Sequence, residues 1–305
     1  MQLGRPPKYS YLSHLLITVG VLLLSMFIFN AIGERLTLTF WDIKVSDLDF
    51  DMPRDLEMSE VYALKLSQLM FGLSFVFTAF IATRVFRYRL LSFTALDRGT
   101  LPVLVLSAVL LYVVFTPFAT WLINVNAALE MPEKWESVFM KMESRSDNIY
   151  NALLQQNYGP HLFVNLMVMA LLPAFAEEIL FRGVLLRIFK SWTDNIHVGV
   201  LLTSLLFAAL HFQPYKFLPM VMLSGLLCYV FYLTGSLWVP ILIHFLNNAL
   251  VIISQAIKDG GSAPEFLGDE FQFMEYIMIG SLVLTIILIR TLWMRSTKKI
   301  ELHFE

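Results

Sequence analysis

The chain has 305 residues, of which 57% are hydrophobic and only 15% are charged. A soluble domain of this length carries about a quarter charged residues, so the composition excludes an ordinary soluble protein. The formal net charge of −2 shows no basic surplus and gives no indication of nucleic-acid binding.

Long apolar runs predict about eight membrane helices, because a helix needs roughly 20 residues to cross a bilayer. In chain order, the predicted spans cover residues 11–32, 66–83, 101–124, 162–186, 197–212, 217–233, 237–257 and 272–289. The predicted fold class is therefore an all-α membrane protein, with residues 1–305 forming a single membrane domain.

The charges of the connecting segments predict the orientation. With the N-terminus inside, the inner segments carry mainly Lys and Arg, whereas the outer segments carry more acidic than basic residues. Cytoplasmic loops are the ones that carry an excess of Lys and Arg. An even number of spans then places both the N- and the C-terminus in the cytoplasm.

The outer segment 125–161 is predicted to contain an amphipathic helix. Its apolar residues recur at helical spacing, from Trp135 and Val138 to Tyr150 and Leu153. This pattern fits a helix lying at the membrane interface. A helix packed on the outer rim of the bundle fits equally well, and the sequence leaves both readings open.

Few strongly polar residues lie within the predicted spans. A charge in the middle of a membrane costs about 2.5–3.5 kcal/mol, so such groups usually face the bundle interior and mark a functional site. The candidates are Glu177, Glu178 and Arg182 in the fourth span, His211 at the end of the fifth, and His244, Asn247 and Asn248 in the seventh.

The two neighbouring glutamates are predicted to have separate functions, because consecutive helix residues point about 100° apart. Glu178 precedes Arg182 by four residues, the favourable order for an ion pair along a helix. That pair either supports a site or simply holds the bundle together. Glu177 has no such cation, and Pro173 is predicted to loosen the helix at the carbonyl of residue 169.

The spacing in two other spans puts further polar groups on shared helix faces, Phe207 with His211 and His244 with Asn248. These groups and Glu177 support two chemistries. In the first, Glu177, His211 and His244 bind zinc for metal-assisted hydrolysis. In the second, Glu177 acts as general base on a water, helped by one histidine, while the other histidine and Asn248 donate to the oxyanion.

Three motifs carry a family resemblance: EEILFR at 177–182 fits EExxxR, FAALH at 207–211 fits FxxxH, and HFLNN at 244–248 fits HxxxN. In this order on membrane helices they resemble the CPBP (Abi) family of intramembrane proteases. That family includes the Ras-converting CAAX prenyl endopeptidase and bacteriocin-processing homologues. The resemblance covers roughly residues 160–255, the predicted catalytic core.

The resemblance implies an eight-helix bundle that encloses an intramembrane polar cavity open toward the cytosol. It implies that Glu177 and His211 activate the water and that His244 and Asn248 stabilise the oxyanion. The supporting residues would be Glu178, Arg182 and Phe207. The family was first described as metalloproteases and is now read as metal-free, so no cofactor is expected and zinc is the alternative.

The resulting prediction is an intramembrane endopeptidase that cuts a membrane-associated peptide or lipidated protein. Its expected partners are the lipid bilayer and that substrate, without nucleic acid. One alternative is a non-enzymatic immunity or scaffold protein of the same fold. A proton-coupled transporter is a weaker one, because no inverted repeat is seen in the sequence. Short loops and the lack of an evident sorting signal favour a bacterial inner membrane.

Overall fold

The computed structural model describes residues 8–129, 132–259 and 274–295 of the chain. Across these ranges the regular secondary structure is helical, without strands. The helices are α1 (Lys8–Trp41), α2 (Met58–Val85), α3 (Leu90–Thr94), α4 (Pro102–Ala127), α5 (Glu133–Leu153), α6 (Gly159–Thr193), α7 (Ile196–Ala209), α8 (Phe217–Thr234), α9 (Trp238–Asp259) and α10 (Met274–Arg295), with short 3₁₀ turns at Val45–Asp47 and Pro214–Lys216.

Seven of the described helices are long and apolar enough to cross a membrane, namely α1, α2, α4, α6, α8, α9 and α10. The predicted fold class, an all-α multi-pass membrane bundle, is confirmed. The predicted start of the last span at residues 272–273 lies outside the described residues. So do the ends of the chain, at 1–7 and 296–305, and their cytoplasmic location stays a prediction.

The predicted fifth span corresponds to the short helix α7, which has 14 residues. At 1.5 Å per residue it is about 21 Å long, less than the roughly 30 Å of a hydrocarbon core. The chain leaves the helix early because Phe212 has a φ of 53°, in the left-handed region, and Pro214 follows. The apolar run over 197–212 is therefore longer than the helix it encodes.

Helix α6 forms the centre of the bundle. Its residues 178–189 are all buried, and α2, α7 and α9 pack against it. A helix that is buried on every side belongs in a core rather than on a lipid-facing surface. By contrast, α1 exposes Leu16, Leu23 and Phe27, as a helix at the lipid boundary would. The candidate site therefore lies beside a stretch of α6 that is enclosed by other helices.

The segment between α4 and α6 contains the amphipathic helix α5. Its C-terminal end is packed into the protein, since Leu153 is buried, whereas Trp135 and Val138 are exposed near its N-terminal end. Burial raises the pKa of Tyr150, in the packed half, to about 12. The helix thus combines the two arrangements left open by the sequence, a packed half and an apolar face turned outward.

Ion pairs fix α5 to two neighbouring segments. Lys141 and Arg145 contact the carboxylate of Asp51 at 2.8 and 2.7 Å. Their hydrogen bonds hold the pKa of Asp51 below its usual value. On the other side, Nζ of Lys216 lies 2.7 Å from Asp147, which links α5 to the turn between α7 and α8. The helix therefore covers the turn that follows the short α7.

Candidate active site

Two π-helical segments interrupt α6, at Leu166–Leu171 and Ile179–Leu185, on either side of the α-helical segment Leu172–Glu178. Pro173 lies in the first turn of the middle segment. The sequence predicted that this proline loosens the helix at the carbonyl of residue 169, and the first π segment includes that residue. Short π segments are rare and often occur at functional sites. The two glutamates thus end a short regular segment that lies between two irregular ones.

The ion pair predicted between Glu178 and Arg182 is confirmed. Nη1 of Arg182 donates to Oε1 of Glu178 at 2.7 Å, and both side chains are completely buried. Glu177 differs in its environment, because its side chain is 15% exposed. The two carboxylates therefore lie in different environments, while their separate functions stay a prediction.

Arg182 also connects three helices. Its Nη2 donates to the backbone oxygen of Ser224 at 3.1 Å and to the hydroxyl of Ser224 at 2.9 Å. Its guanidinium carbon lies 4.9 Å from the centre of the Phe207 ring, a cation–π distance. Ser224 was not predicted from the sequence, because a serine in a membrane helix carries no distinctive pattern. Arg182 therefore fixes α6 to both α7 and α8.

His244 contacts both glutamates. Its Nδ1 lies 2.8 Å from Oε1 of Glu178, and its Nε2 lies 3.8 Å from Oε2 of Glu177. The side chain is only 6% exposed. The contact with Glu178 was not anticipated, and it places this carboxylate between a guanidinium and an imidazole.

His211 approaches Glu177 from the end of α7, with Nε2 at 4.0 Å from Oε2. Its Nδ1 lies 2.7 Å from the backbone oxygen of Phe207. A carbonyl oxygen only accepts hydrogen bonds, so Nδ1 carries the proton and the neutral ring has its free lone pair on Nε2. That lone pair belongs to the nitrogen nearer to Glu177.

Phe207 forms an aromatic wall beside both histidines. Its ring centre lies 4.5 Å from that of His211 and 6.0 Å from that of His244. Phe181 of α6 meets the same ring edge-on at 5.0 Å. The predicted supporting residue is thus packed against the histidines, where it restricts their ring orientations.

Asn248 follows His244 by one helical turn on α9. Its Oδ1 accepts a hydrogen bond from Nδ2 of Asn247 at 3.2 Å. Asn247 in turn accepts one from the hydroxyl of Tyr112 on α4, also at 3.2 Å. Asn247 therefore bonds between α9 and α4. The partner Tyr112 was missed, since no local pattern distinguishes it from other membrane tyrosines.

An apolar cleft of about 330 Å³ lies at the C-terminal end of α7, where the chain also carries His211. Ala208, three residues before His211, and Phe212, directly after it, line the cleft together with Phe139 and Met142 of α5. The cleft therefore joins the end of α7 to the apolar face of the amphipathic helix.

The zinc alternative depends on residue types, since two imidazoles and a carboxylate are ligands that zinc accepts. Among the residues that the structure describes, no group of three or more His, Cys, Asp or Glu side chains is arranged to hold a metal ion. Cys228 is buried and free. Metal dependence stays an untested prediction.

Comparison with known families identifies the region that contains these residues. Residues 159–250 match the family model described as "Type II CAAX prenyl endopeptidase Rce1-like". This match confirms the resemblance carried by the three motifs.

Two curated relatives match the chain over stretches of similar length. The uncharacterized protein YpbD of Bacillus subtilis (strain 168) is 39% identical over 95 residues, covering 30% of this chain and 43% of its own. An uncharacterized 24.3 kDa protein of Escherichia coli is 35% identical over 100 residues, covering 31% of this chain and 45% of its own. The chain thus spans less than half the length of either relative, and no solved structure matches it significantly.

Proposed function

We propose that this chain is an intramembrane endopeptidase that hydrolyses a peptide bond in a membrane-associated protein or peptide. The observation that carries the proposal is the position of Glu177, whose Oε2 is faced by Nε2 of His211 at 4.0 Å and by Nε2 of His244 at 3.8 Å. The match of residues 159–250 to a CAAX prenyl endopeptidase family model supports the same chemistry.

In the proposed reaction, Glu177 and His211 activate a water. The separation of 4.0 Å between them is too long for a direct hydrogen bond, and polar groups at such separations are commonly bridged by water. The water loses a proton to Glu177 while the lone pair on Nε2 of His211 holds its second hydrogen. The new hydroxide oxygen then bonds to the carbonyl carbon of the substrate.

The carbonyl electron pair moves onto the substrate oxygen in this step, and His244 and Asn248 stabilise the resulting charge. For Nε2 of His244 to donate, the ring must carry both protons, because Nδ1 already donates to Glu178. The site then has no net charge, because the two carboxylates are balanced by the Arg182 guanidinium and the His244 imidazolium. When the intermediate collapses, the C–N bond breaks and the proton held by Glu177 passes to the leaving nitrogen.

The substrate class follows from the surroundings of the site. The helix that carries Glu177 is the central membrane helix, and the neighbouring cleft has mostly apolar walls. Both features favour an apolar peptide segment or a lipidated protein over a soluble polar peptide. The two relatives come from bacteria, which supports a location in a bacterial inner membrane.

Comparison of membrane fractions from wild-type cells and from cells with Glu177→Gln tests the function. We expect a membrane-associated precursor to accumulate in the variant, with a new terminus visible only in wild-type cells by terminal-peptide mass spectrometry. Identical terminal peptides in both strains, with the variant present at normal abundance, would contradict the proposal and favour a non-enzymatic scaffold or immunity role.

A further inference from the structure

A chain of hydrogen bonds leads from α4 to the proposed oxyanion donor. The hydroxyl of Tyr112 donates to Oδ1 of Asn247, and Nδ2 of Asn247 donates to Oδ1 of Asn248, with both distances at 3.2 Å. Tyr112 is buried, at 6% exposure, among apolar residues of α4 that pack against α9. It lies outside the segment that matches the family model.

The direction of these bonds determines what Asn248 offers to a substrate. A side-chain amide has an accepting oxygen and a donating nitrogen, and a rotation of 180° exchanges them. With Oδ1 of Asn248 used by Asn247, the two N–H groups of Asn248 are available for a developing oxyanion. The reverse orientation would present an oxygen to that negative charge and repel it.

We propose that Tyr112 is a positioning residue for the hydrolysis, which acts through Asn247 to keep the amide nitrogen of Asn248 on the side of the reacting carbonyl. This inference rests on the proposed function. Without the phenolic donor, the amide of Asn247 loses the contact that fixes its orientation, and the preference for the productive orientation of Asn248 is weakened. Preorganisation of a donor before charge develops is what makes it effective in the transition state.

A purely structural role for Tyr112 is the competing explanation, because its hydrogen bond also joins α4 to α9. If the role is structural, Tyr112→Phe lowers stability, and its effect on kcat adds to that of any other substitution. A positioning role lowers turnover and depends on the presence of Asn248. Double-mutant cycles on kcat separate these cases, since independent effects add whereas an effect that runs through Asn248 disappears when Asn248 is removed.

The experiment measures kcat and KM for Tyr112→Phe, Asn248→Ala and the double variant in proteoliposomes. The substrate is a synthetic peptide covering the cut site of the precursor that accumulates in Glu177→Gln cells. Removal of a whole oxyanion donor by Asn248→Ala is expected to lower kcat by about 10²–10³-fold. Tyr112→Phe is expected to lower kcat about tenfold at unchanged KM, and to have no further effect in the Asn248→Ala background.

Tyr232→Phe is the matched control, since Tyr232 lies on α8 against the Trp293 ring and should leave kcat unchanged. Asn247→Ala is a second variant and should reproduce the loss seen with Tyr112→Phe. The inference is overturned if Tyr112→Phe keeps full kcat, or if it lowers kcat by the same factor in the wild-type and Asn248→Ala backgrounds. In either case, loss of cleavage in Glu177→Gln would leave the proposed function standing. If no precursor accumulates in Glu177→Gln cells, it is the proposed function that has failed.

Discussion

Nδ1 of His244 lies 2.8 Å from Oε1 of Glu178, although 66 residues separate them in the chain. The same carboxylate oxygen accepts from Nη1 of Arg182 at 2.7 Å. Glu178 therefore does more than neutralise its helical neighbour, because it also fixes the ring of a proposed catalytic histidine. A metal-ligand shell is not required for this orienting effect, since a carboxylate acceptor sets the tautomer of an imidazole equally well in a metal-free site.

The two adjacent glutamates should respond differently to the same substitution. Glu177→Gln is expected to reduce kcat by about 10²–10⁴-fold, the range for loss of a general base, with little change in melting temperature. Glu178→Gln is expected to lower both kcat and melting temperature, because it weakens the contacts to Arg182 and His244. Thermal unfolding in detergent and turnover in proteoliposomes measure the two effects. Equal loss of stability in both variants would show that the residues do not have separate functions.

Removal of the buried guanidinium should destabilise the protein strongly. In Arg182→Met, Glu178 loses the cation beside it in a fully buried position, which costs about 3–5 kcal/mol for a broken buried pair. Arg182→Met combined with Glu178→Gln should recover part of this loss in melting temperature, because no uncompensated charge remains.

Arg84→Met is the control for this pair. Arg84 is exposed on α2 and also lies over an aromatic ring, 5.0 Å from the centre of Phe80. Its substitution should change the melting temperature little. A drop as large as that of Arg182→Met would attribute the effect to loss of an arginine–aromatic contact rather than to the buried ion pair.

Treatment with a chelator tests the metal-free mechanism. With Glu177 as base and no metal required, turnover after incubation with EDTA or 1,10-phenanthroline and gel filtration should equal that of the untreated protein. Elemental analysis of wild-type protein and of Glu177→Gln should show the same low zinc content. Loss of activity that added zinc restores, together with a zinc content that falls in Glu177→Gln, would instead establish the zinc alternative.

The attachment of α5 should depend on pH through Asp51. Hydrogen bonds from Lys141 and Arg145 lower the pKa of Asp51. Ionised Asp51 therefore stabilises the attachment of α5 fully above the unfolded pKa of about 3.9. This stabilisation is lost as the pH falls through the lowered pKa of the folded state. Asp51→Asn should therefore speed amide exchange of α5 at pH 7, and the wild type should match it in acid. Asp55→Asn, a neighbouring control, should leave α5 exchange unchanged at pH 7.

Much of the site could be predicted because several of its relationships join residues of the same helix. The separation of Glu177 from Glu178 and the pairing of Glu178 with Arg182 follow from helical periodicity, which is local and regular. The contact between His244 and Glu178 could not be predicted in this way. It depends on how α9 packs against α6, and two π segments alter the angular register of α6 around the glutamates.

The length of a helix could be predicted only where the apolar run in the sequence ends at the same residue as the helix. The second span was predicted to start at residue 66, whereas α2 begins at Met58 behind a capping box formed by Glu57 and Glu60. Glu60 in that first turn and Lys65 in the next interrupt the apolar run without interrupting the helix. The reverse holds for α7, where the apolar run continues beyond the helix end at Ala209.

The close packing of Gly183 against Thr94 gives a stability prediction for the part of α6 that directly follows the EEILFR motif. A Cβ at Gly183 would lie 2.7 Å from Cγ2 of Thr94 and 3.0 Å from its Cβ. Thr94 cannot easily move, because its hydroxyl donates to the backbone oxygen of Leu90 at 2.8 Å and β-branched side chains are stiff. Gly183→Ala should destabilise the protein by about 1–3 kcal/mol, the usual cost of overpacking, despite the better helix propensity of alanine.

Thermal unfolding of two further variants tests the cause. Thr94→Ser removes Cγ2 and keeps the hydroxyl, so Gly183→Ala combined with Thr94→Ser should regain most of the lost melting temperature. Gly280→Ala on α10 is the matched control, because nothing lies within 4 Å of the added carbon there. It should leave stability unchanged or slightly raised, as expected for an alanine in an open helix position. If Gly183→Ala behaves like Gly280→Ala, α3 does not pack against α6 as closely as described.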